Sequence, residues 1–120
     1  MANRTFFDVQ AAQRETKIIT GVMVAGNSLA NGDDMPLGVS AVSIDTSPSP
    51  DELDIILEDK YNDLVGISVT PKALGDSNDR DIEQVSFATS NTVTLKANNS
   101  FVAGDQLFVT LFLKNTSVVK

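Results

Sequence analysis

The chain has 120 residues, 42% of them hydrophobic, and a formal net charge of −7, which fits one domain with a core of ordinary size. It holds no cysteine, which excludes disulfides and thiolate zinc sites, and no histidine, which removes the commonest general base at neutral pH. The negative charge argues against nucleic acid as a partner. No signal-peptide pattern or run of 18 apolar residues indicates secretion or a membrane.

An N-terminal arm over residues 1–16 is predicted to precede a single β domain over residues 17–120. Residues 5–9, TFFDV, alternate as in a short strand, and residues 10–15, QAAQRE, are polar and tolerate a helix. The arm either packs on its own domain or reaches a partner with Phe6 and Phe7 as apolar anchors. The residues leave both alternatives open.

Short β-branched and alternating runs separated by turn residues follow the arm. The strands predicted in chain order are residues 17–24, 37–44, 53–58, 64–70, 82–89, 92–96 and 106–113. Gly21 indicates a bulge or a close backbone approach, and Pro71 is expected to end its strand. Ser90 and Asn91 form a tight turn between two strands. The pattern predicts an all-β domain, an antiparallel sandwich or small barrel of about seven short strands with at most one short helix.

Residues 49–58 carry conflicting signals. Ser49, Pro50, Asp51 and Glu52 form a capping box with proline at the first helical position, and the pattern alone favours a helix. The run LDIILE at residues 53–58 also alternates as a strand would. A short helical turn over residues 59–64 fits either alternative.

The last predicted strand, residues 106–113, has the sequence QLFVTLFL and is apolar on both faces. Leu107, Val109, Leu111 and Leu113 share one face because side chains alternate along a strand, and the residues between them share the other. We therefore expect this strand to be buried on both sides, in the middle of a sandwich or under a partner subunit.

No group of residues in the sequence predicts catalysis or a cofactor. A serine nucleophile would lack its histidine, and no glycine-rich loop matches a phosphate cradle. The acidic loop at residues 76–83 does not match the pattern of a calcium-binding EF-hand. Counting from Asp79, Gln84 stands where the glycine belongs and Ser90 where the glutamate belongs, so the pattern fails. The loop is interpreted as a solvated acidic loop.

Three blocks, in this order, resemble a family of small structural proteins of tailed bacteriophages. They are ETKIITGVMV at residues 15–24, LDIILEDKYNDL at residues 53–64 and FVAGDQLFVTLFLKNTSVV at residues 101–119. The three blocks make up about a third of the chain, and the middle block favours the strand over the helix. The chain departs from the family in the connector DTSPSPDE, which carries the capping box.

The resemblance implies a non-enzymatic capsid decoration, or cement, protein. Such a protein binds the outer surface of a phage head as an oligomer and stabilises it, so the implied partners are the major capsid protein and further copies of the chain, expected as a homotrimer. The implied location is the capsid exterior, after assembly in the cytoplasm of the host bacterium. The residues expected at the capsid or subunit interface are Phe6, Phe7, Val9, Asn115, Val118 and Val119.

Two alternatives stay open. One is a different structural role in the virion, in the tail, the baseplate or a head fibre. The other is a soluble ligand-binding β module, which would be a monomer with a concave pocket.

Overall fold

Residues 16–114, the part of the chain described by the computed structural model, form seven strands. The strands are β1 (Thr16–Val24), β2 (Val39–Asp45), β3 (Glu52–Leu57), β4 (Asp63–Ala73), β5 (Ile82–Thr89), β6 (Thr92–Ala97) and β7 (Gln106–Lys114). A three-stranded antiparallel sheet has the order β1-β7-β4, and a four-stranded antiparallel sheet has the order β2-β3-β6-β5. The predicted all-β fold is confirmed as two packed sheets, a sandwich rather than a barrel.

The core lies between the two sheets and follows the two-residue period of the strands. In β7, every second residue from Leu107 to Leu113 is fully buried. In β3, Leu53, Ile55 and Leu57 face them from the other sheet and are at most 1% exposed. Burial of these apolar side chains is the main force that holds the sheets together.

Strand β7 is the centre of the three-stranded sheet, paired with β1 on one side and β4 on the other. Its outward side chains are not covered by the rest of the chain, since Phe108 is 46% and Phe112 is 36% exposed. The expectation of a strand buried on both faces therefore holds for one face only. That a partner subunit covers the other face stays a prediction.

The helix that the capping box favours does not form, and residues 52–57 are the strand β3. Leu53 pairs with Ile44 on one side and Leu95 on the other, so the two neighbouring strands override the local helix signal. The short helical turn expected over residues 59–64 is also wrong. Its backbone is bound elsewhere, because Tyr61 N–H donates to Ser90 O at 2.8 Å and Asn62 N–H to Lys114 O at 3.0 Å.

Two predictions about single residues have opposite outcomes. Pro71 does not end its strand, because β4 continues to Ala73 across a register shift at this point. An edge strand tolerates proline, which has no N–H to donate to a neighbour. Gly21 marks a close approach rather than a bulge, since a Cβ on Gly21 would lie 2.9 Å from Pro36 Cβ while β1 keeps its register with β7.

Candidate interaction surface

The outer side of the three-stranded sheet has a continuous surface without a charged side chain. The register aligns its residues in three rows across β1, β7 and β4, and together these residues are called the uncharged face. The rows are Ile18–Phe112–Gly66, Thr20–Thr110–Ser68 and Val22–Phe108–Thr70. In the middle row, the hydroxyl oxygens of Thr20 and Thr110 are hydrogen-bonded at 2.9 Å.

Apolar side chains on the uncharged face remain accessible to solvent. Ile18 is 59% exposed, and the bulged Val65 beside the first row is 58% exposed. Phe108 and Phe112 follow in the central strand, as described above. Large apolar side chains gathered on one face, rather than scattered singly, are typical of a surface that contacts another protein.

The outer side of the four-stranded sheet differs in charge. Its outward residues include the acidic Asp45, Glu52 and Asp54, together with the basic Lys96. Asp54 also accepts a hydrogen bond from the Thr94 hydroxyl at 2.8 Å. The outer side of the four-stranded sheet is therefore charged along its strands, whereas on the three-stranded sheet the charges of Asp63 and Lys114 lie in the row beyond Phe112, outside the uncharged face.

A groove of about 240 Å³ lies at the open edge of β1. Its walls come from β1 itself and from two loops, and the lining residues are Lys17, Ile18, Ile19, Thr20, Leu37, Gly38, Asp59 and Tyr61. Burial, together with the charges of Asp59 and Glu58, raises the pKa of the Tyr61 hydroxyl, so Tyr61 stays neutral. The groove is smaller than the roughly 300–1,000 Å³ typical of small-molecule sites.

Two buried charged residues hold the acidic loop against the turn before β7. Arg80 Nε donates to Asp105 Oδ2 at 3.0 Å, and both side chains are completely buried. Arg80 Nη2 donates to Asp76 Oδ1 at 2.9 Å, and Arg80 Nη1 donates to the carbonyls of Asn78 and Asp79 at 2.9 and 3.1 Å. These residues and their bonds are called the Arg80 cluster.

Asp105 completes the Arg80 cluster through backbone donors. It accepts hydrogen bonds from Gly75 N–H at 2.7 Å and Val102 N–H at 3.0 Å. Burial disfavours the charged form of Arg80, but its bonds to Asp76 and Asp105 outweigh burial, so the pKa of Arg80 is raised. The groups in the cluster are bound to one another, which indicates a structural role.

No local pattern of residues indicates the Arg80 cluster, because its two buried charges lie 25 positions apart. The acidic loop around Arg80 is interpreted from the sequence as solvated, and no pattern near Asp105 indicates a buried carboxylate. Asp79 is likewise bound, accepting hydrogen bonds from Asn98 Nδ2 at 3.0 Å and Asn99 Nδ2 at 2.9 Å. The loop is thus partly organised by its neighbours.

The Arg80 cluster predicts a pH dependence of stability. The hydrogen bond from Arg80 holds the pKa of Asp76 below its ordinary value. A carboxyl group with a lowered pKa stabilises the fold above its unfolded pKa, and that contribution is lost as the pH falls through the folded pKa. We expect the difference in melting temperature between the natural chain and Asp76→Asn to be largest near neutral pH and to shrink below about pH 4.

Thermal unfolding, followed by circular dichroism at several pH values between about 2 and 7, measures this difference. This range covers the titration of carboxyl groups. Ser77→Ala, an uncharged change in the same exposed loop, is the control, and its difference from the natural chain should not depend on pH. A difference for Asp76→Asn that is equally constant would contradict the role of this carboxylate.

The interface residues expected from the sequence cannot be placed on this surface. Phe6, Phe7, Val9, Asn115, Val118 and Val119 all lie outside the described residues. Within residues 16–114, no group of three or more acidic side chains is arranged to hold a metal ion. The same range contains no helix that could span a membrane.

Comparisons of the chain with protein-family models, with curated proteins and with solved structures found no match.

Proposed function

We propose that this chain is a non-enzymatic structural protein of a tailed-phage virion, a capsid decoration protein that binds the outside of the head as an oligomer and stabilises it. The observation that carries the proposal is the uncharged face, a solvent-accessible apolar sheet surface on an otherwise acidic domain. The three blocks that resemble small phage structural proteins support the same function.

The uncharged face is suited to weak contacts that are repeated many times. Its three rows span five residues on each of three strands, which corresponds to roughly 250 Å² on one side of the sheet. A stable interface needs roughly 800 Å² from each partner. A single copy would therefore bind weakly, and an oligomer that touches several capsid subunits at once gains occupancy through avidity.

The stabilising role follows from linkage. A protein that binds the assembled shell and not its free subunits shifts the equilibrium toward the shell by mass action. This role requires no catalytic group, which agrees with a chain that lacks histidine and cysteine. It also agrees with the Arg80 cluster, whose buried charges are bound to one another.

Charge substitutions on the uncharged face test the proposal. We expect Phe108→Lys to lower the affinity for capsids of the encoding phage roughly tenfold or more, because a contact would then bury an unpaired charge. Thr70→Lys places a lysine in the same row at an exposed position and should act similarly without harming the fold. Sedimentation of capsids with labelled protein measures the bound fraction.

The matched control is Leu29→Lys, which changes an exposed leucine (46%) in the 3-10 turn at Leu29–Asn31, away from the uncharged face. Its affinity should stay within about twofold of the natural chain. The proposal fails if Phe108→Lys and Thr70→Lys, both folded, bind capsids as well as this control does. If the natural chain does not bind capsids at all, the two alternatives given by the sequence analysis remain: another structural role in the virion, or a soluble ligand-binding β module.

A further inference from the structure

The outer edge of β2 is covered by a short segment of the chain that precedes it. β2 is an edge strand of the four-stranded sheet, and such an edge presents unpaired N–H and C=O groups unless something covers them. Gly26 N–H donates to Val42 O at 2.7 Å, and Val42 N–H donates to Asn27 O at 2.9 Å. Ser28 then forms an antiparallel bridge with Ala41. This short cover protects the edge for as long as its residues are held in place.

Ser28 is held by the 3-10 turn that follows it. Its hydroxyl oxygen accepts from Asn31 N–H at 3.2 Å, as the N-cap of the turn. Gly32 ends the turn in the left-handed conformation, with a φ of 80°, and its N–H donates to Leu29 O at 3.0 Å. The carboxylate of Asp33 accepts from Ser28 N–H at 3.0 Å, and Asp33 N–H donates to Ser28 O at 3.2 Å. The turn and the cover of β2 therefore share Ser28.

Asn31 is the one asparagine of the chain that a glycine follows. Asparagine is a chemically labile residue, and a following glycine has no Cβ to shield its backbone nitrogen. Once that nitrogen has lost its proton to a base, it attacks Cγ of the asparagine, and the side-chain nitrogen leaves as ammonia. Water then opens the resulting succinimide ring at Cγ to give aspartate, or at the backbone carbonyl carbon to give isoaspartate. The isoaspartate product has an additional carbon atom in the main chain.

The structure both exposes this pair of residues and restrains it. Asn31 and Gly32 are exposed, and a Cβ on Gly32 would meet no atom within 4 Å, so water and base reach the site. The bond from Gly32 N–H to Leu29 O opposes the reaction, because the nitrogen cannot attack while its N–H is held there. The reaction therefore requires the turn to open, and its rate follows the population of the open turn.

We propose that Asn31 is a site of spontaneous deamidation, and that its conversion to isoaspartate uncovers the edge of β2. The additional main-chain carbon moves Gly32 and Asp33 away from the acceptors that their N–H groups now reach, so Ser28 is released from the turn and from its bridge to β2. The aspartate product keeps the main chain and adds a negative charge beside Asp33. The two products of one reaction therefore differ in their effect on the same edge.

Incubation of the purified chain in mildly alkaline buffer, followed by peptide mapping with mass spectrometry, tests the site. We expect the product at Asn31 to accumulate roughly tenfold or more faster than at Asn91, because the β-branched Thr92 shields the nitrogen that follows Asn91. Ser28→Ala removes the cap and should raise the rate at Asn31 roughly fivefold. Ser77→Ala, the same change in another exposed loop, is the matched control and should leave the rate within about twofold.

Hydrogen exchange tests the effect on β2. The modified chain is separated by ion-exchange chromatography, and exchange is measured by mass spectrometry in peptides that contain Gly26 or Val42. In the isoaspartate form these amides should exchange roughly tenfold or more faster, because they lose the hydrogen bonds of the cover. Asn31→Asp reproduces the other product and should leave their exchange unchanged. The amides of β7, in the other sheet, should keep their natural rate in both forms.

Three results would overturn the proposal. The first is modification of Asn31 in the folded chain at a rate no higher than that of Asn91. The second is the same rate at Asn31 in Ser28→Ala and Ser77→Ala. The third is unchanged exchange at Gly26 and Val42 in the isoaspartate form. No capsid enters these measurements, so their outcome is independent of the proposed function.

Discussion

Asp105→Ala is expected to lower the free energy of unfolding by about 3–5 kcal/mol, because it breaks a buried ion pair. The substitution removes the buried partner of Arg80 and leaves a buried guanidinium short of one carboxylate. It also leaves the N–H groups of Gly75 and Val102 without the acceptors that lie at 2.7 and 3.0 Å in the structure. Urea unfolding followed by circular dichroism measures the change.

Two further variants separate the causes of this loss. Asp105→Asn keeps an acceptor oxygen and the side-chain shape but loses the charge. Its free energy of unfolding should therefore lie between that of the natural chain and that of Asp105→Ala. Glu83→Ala removes an exposed carboxylate from β5 and should change stability by no more than about 0.5 kcal/mol. If Asp105→Ala costs as little as Glu83→Ala, the Arg80 cluster does not hold the two loops together.

Leu111→Ala and Phe112→Ala are expected to differ strongly although the two residues are neighbours in β7. Leu111 is fully buried between the sheets, and truncation of such a leucine costs about 2–5 kcal/mol through lost burial and the cavity left behind. Phe112 points to the uncharged face and is 36% exposed, so its truncation should cost about 1 kcal/mol in the isolated chain. Thermal and urea unfolding of both variants give the comparison.

The same pair of variants reports on the state of the uncharged face in solution. If Phe112→Ala destabilises the purified chain as much as Leu111→Ala does, Phe112 is already covered in solution. That result would contradict the proposal that the uncharged face is exposed to solvent until it contacts the capsid.

Seven strands could be predicted from the sequence because the signal is local. Alternation of side chains has a period of two residues, and each run here is bounded by turn residues such as Ser90 and Asn91. The predicted strands 82–89 and 106–113 differ from β5 and β7 by at most one residue at each end.

Predictions that depend on distant residues were less accurate. The capping box at residues 49–52 is a true local signal, but pairing of Leu53 with Ile44 and Leu95 outweighs it. The ion pair between Arg80 and Asp105 forms only when the fold brings two loops together. The residues next to each of them in the sequence do not predict this ion pair.

The candidate surface could be predicted in part. Alternation along the strand predicts that Phe108, Thr110 and Phe112 share one face, and in the structure they do. Their neighbours in the rows come from β1 and β4, on either side of β7, and this strand order is set by the whole fold rather than by any segment. The residues that the central strand contributes can therefore be predicted from one sequence, but the extent of the uncharged face cannot.

Size-exclusion chromatography coupled to light scattering, on the purified chain with and without capsids of the encoding phage, tests the proposed function most directly. The proposal predicts an oligomer that elutes with the capsids and raises their melting temperature. A monomer that elutes separately and leaves the melting temperature of the capsids unchanged would contradict it.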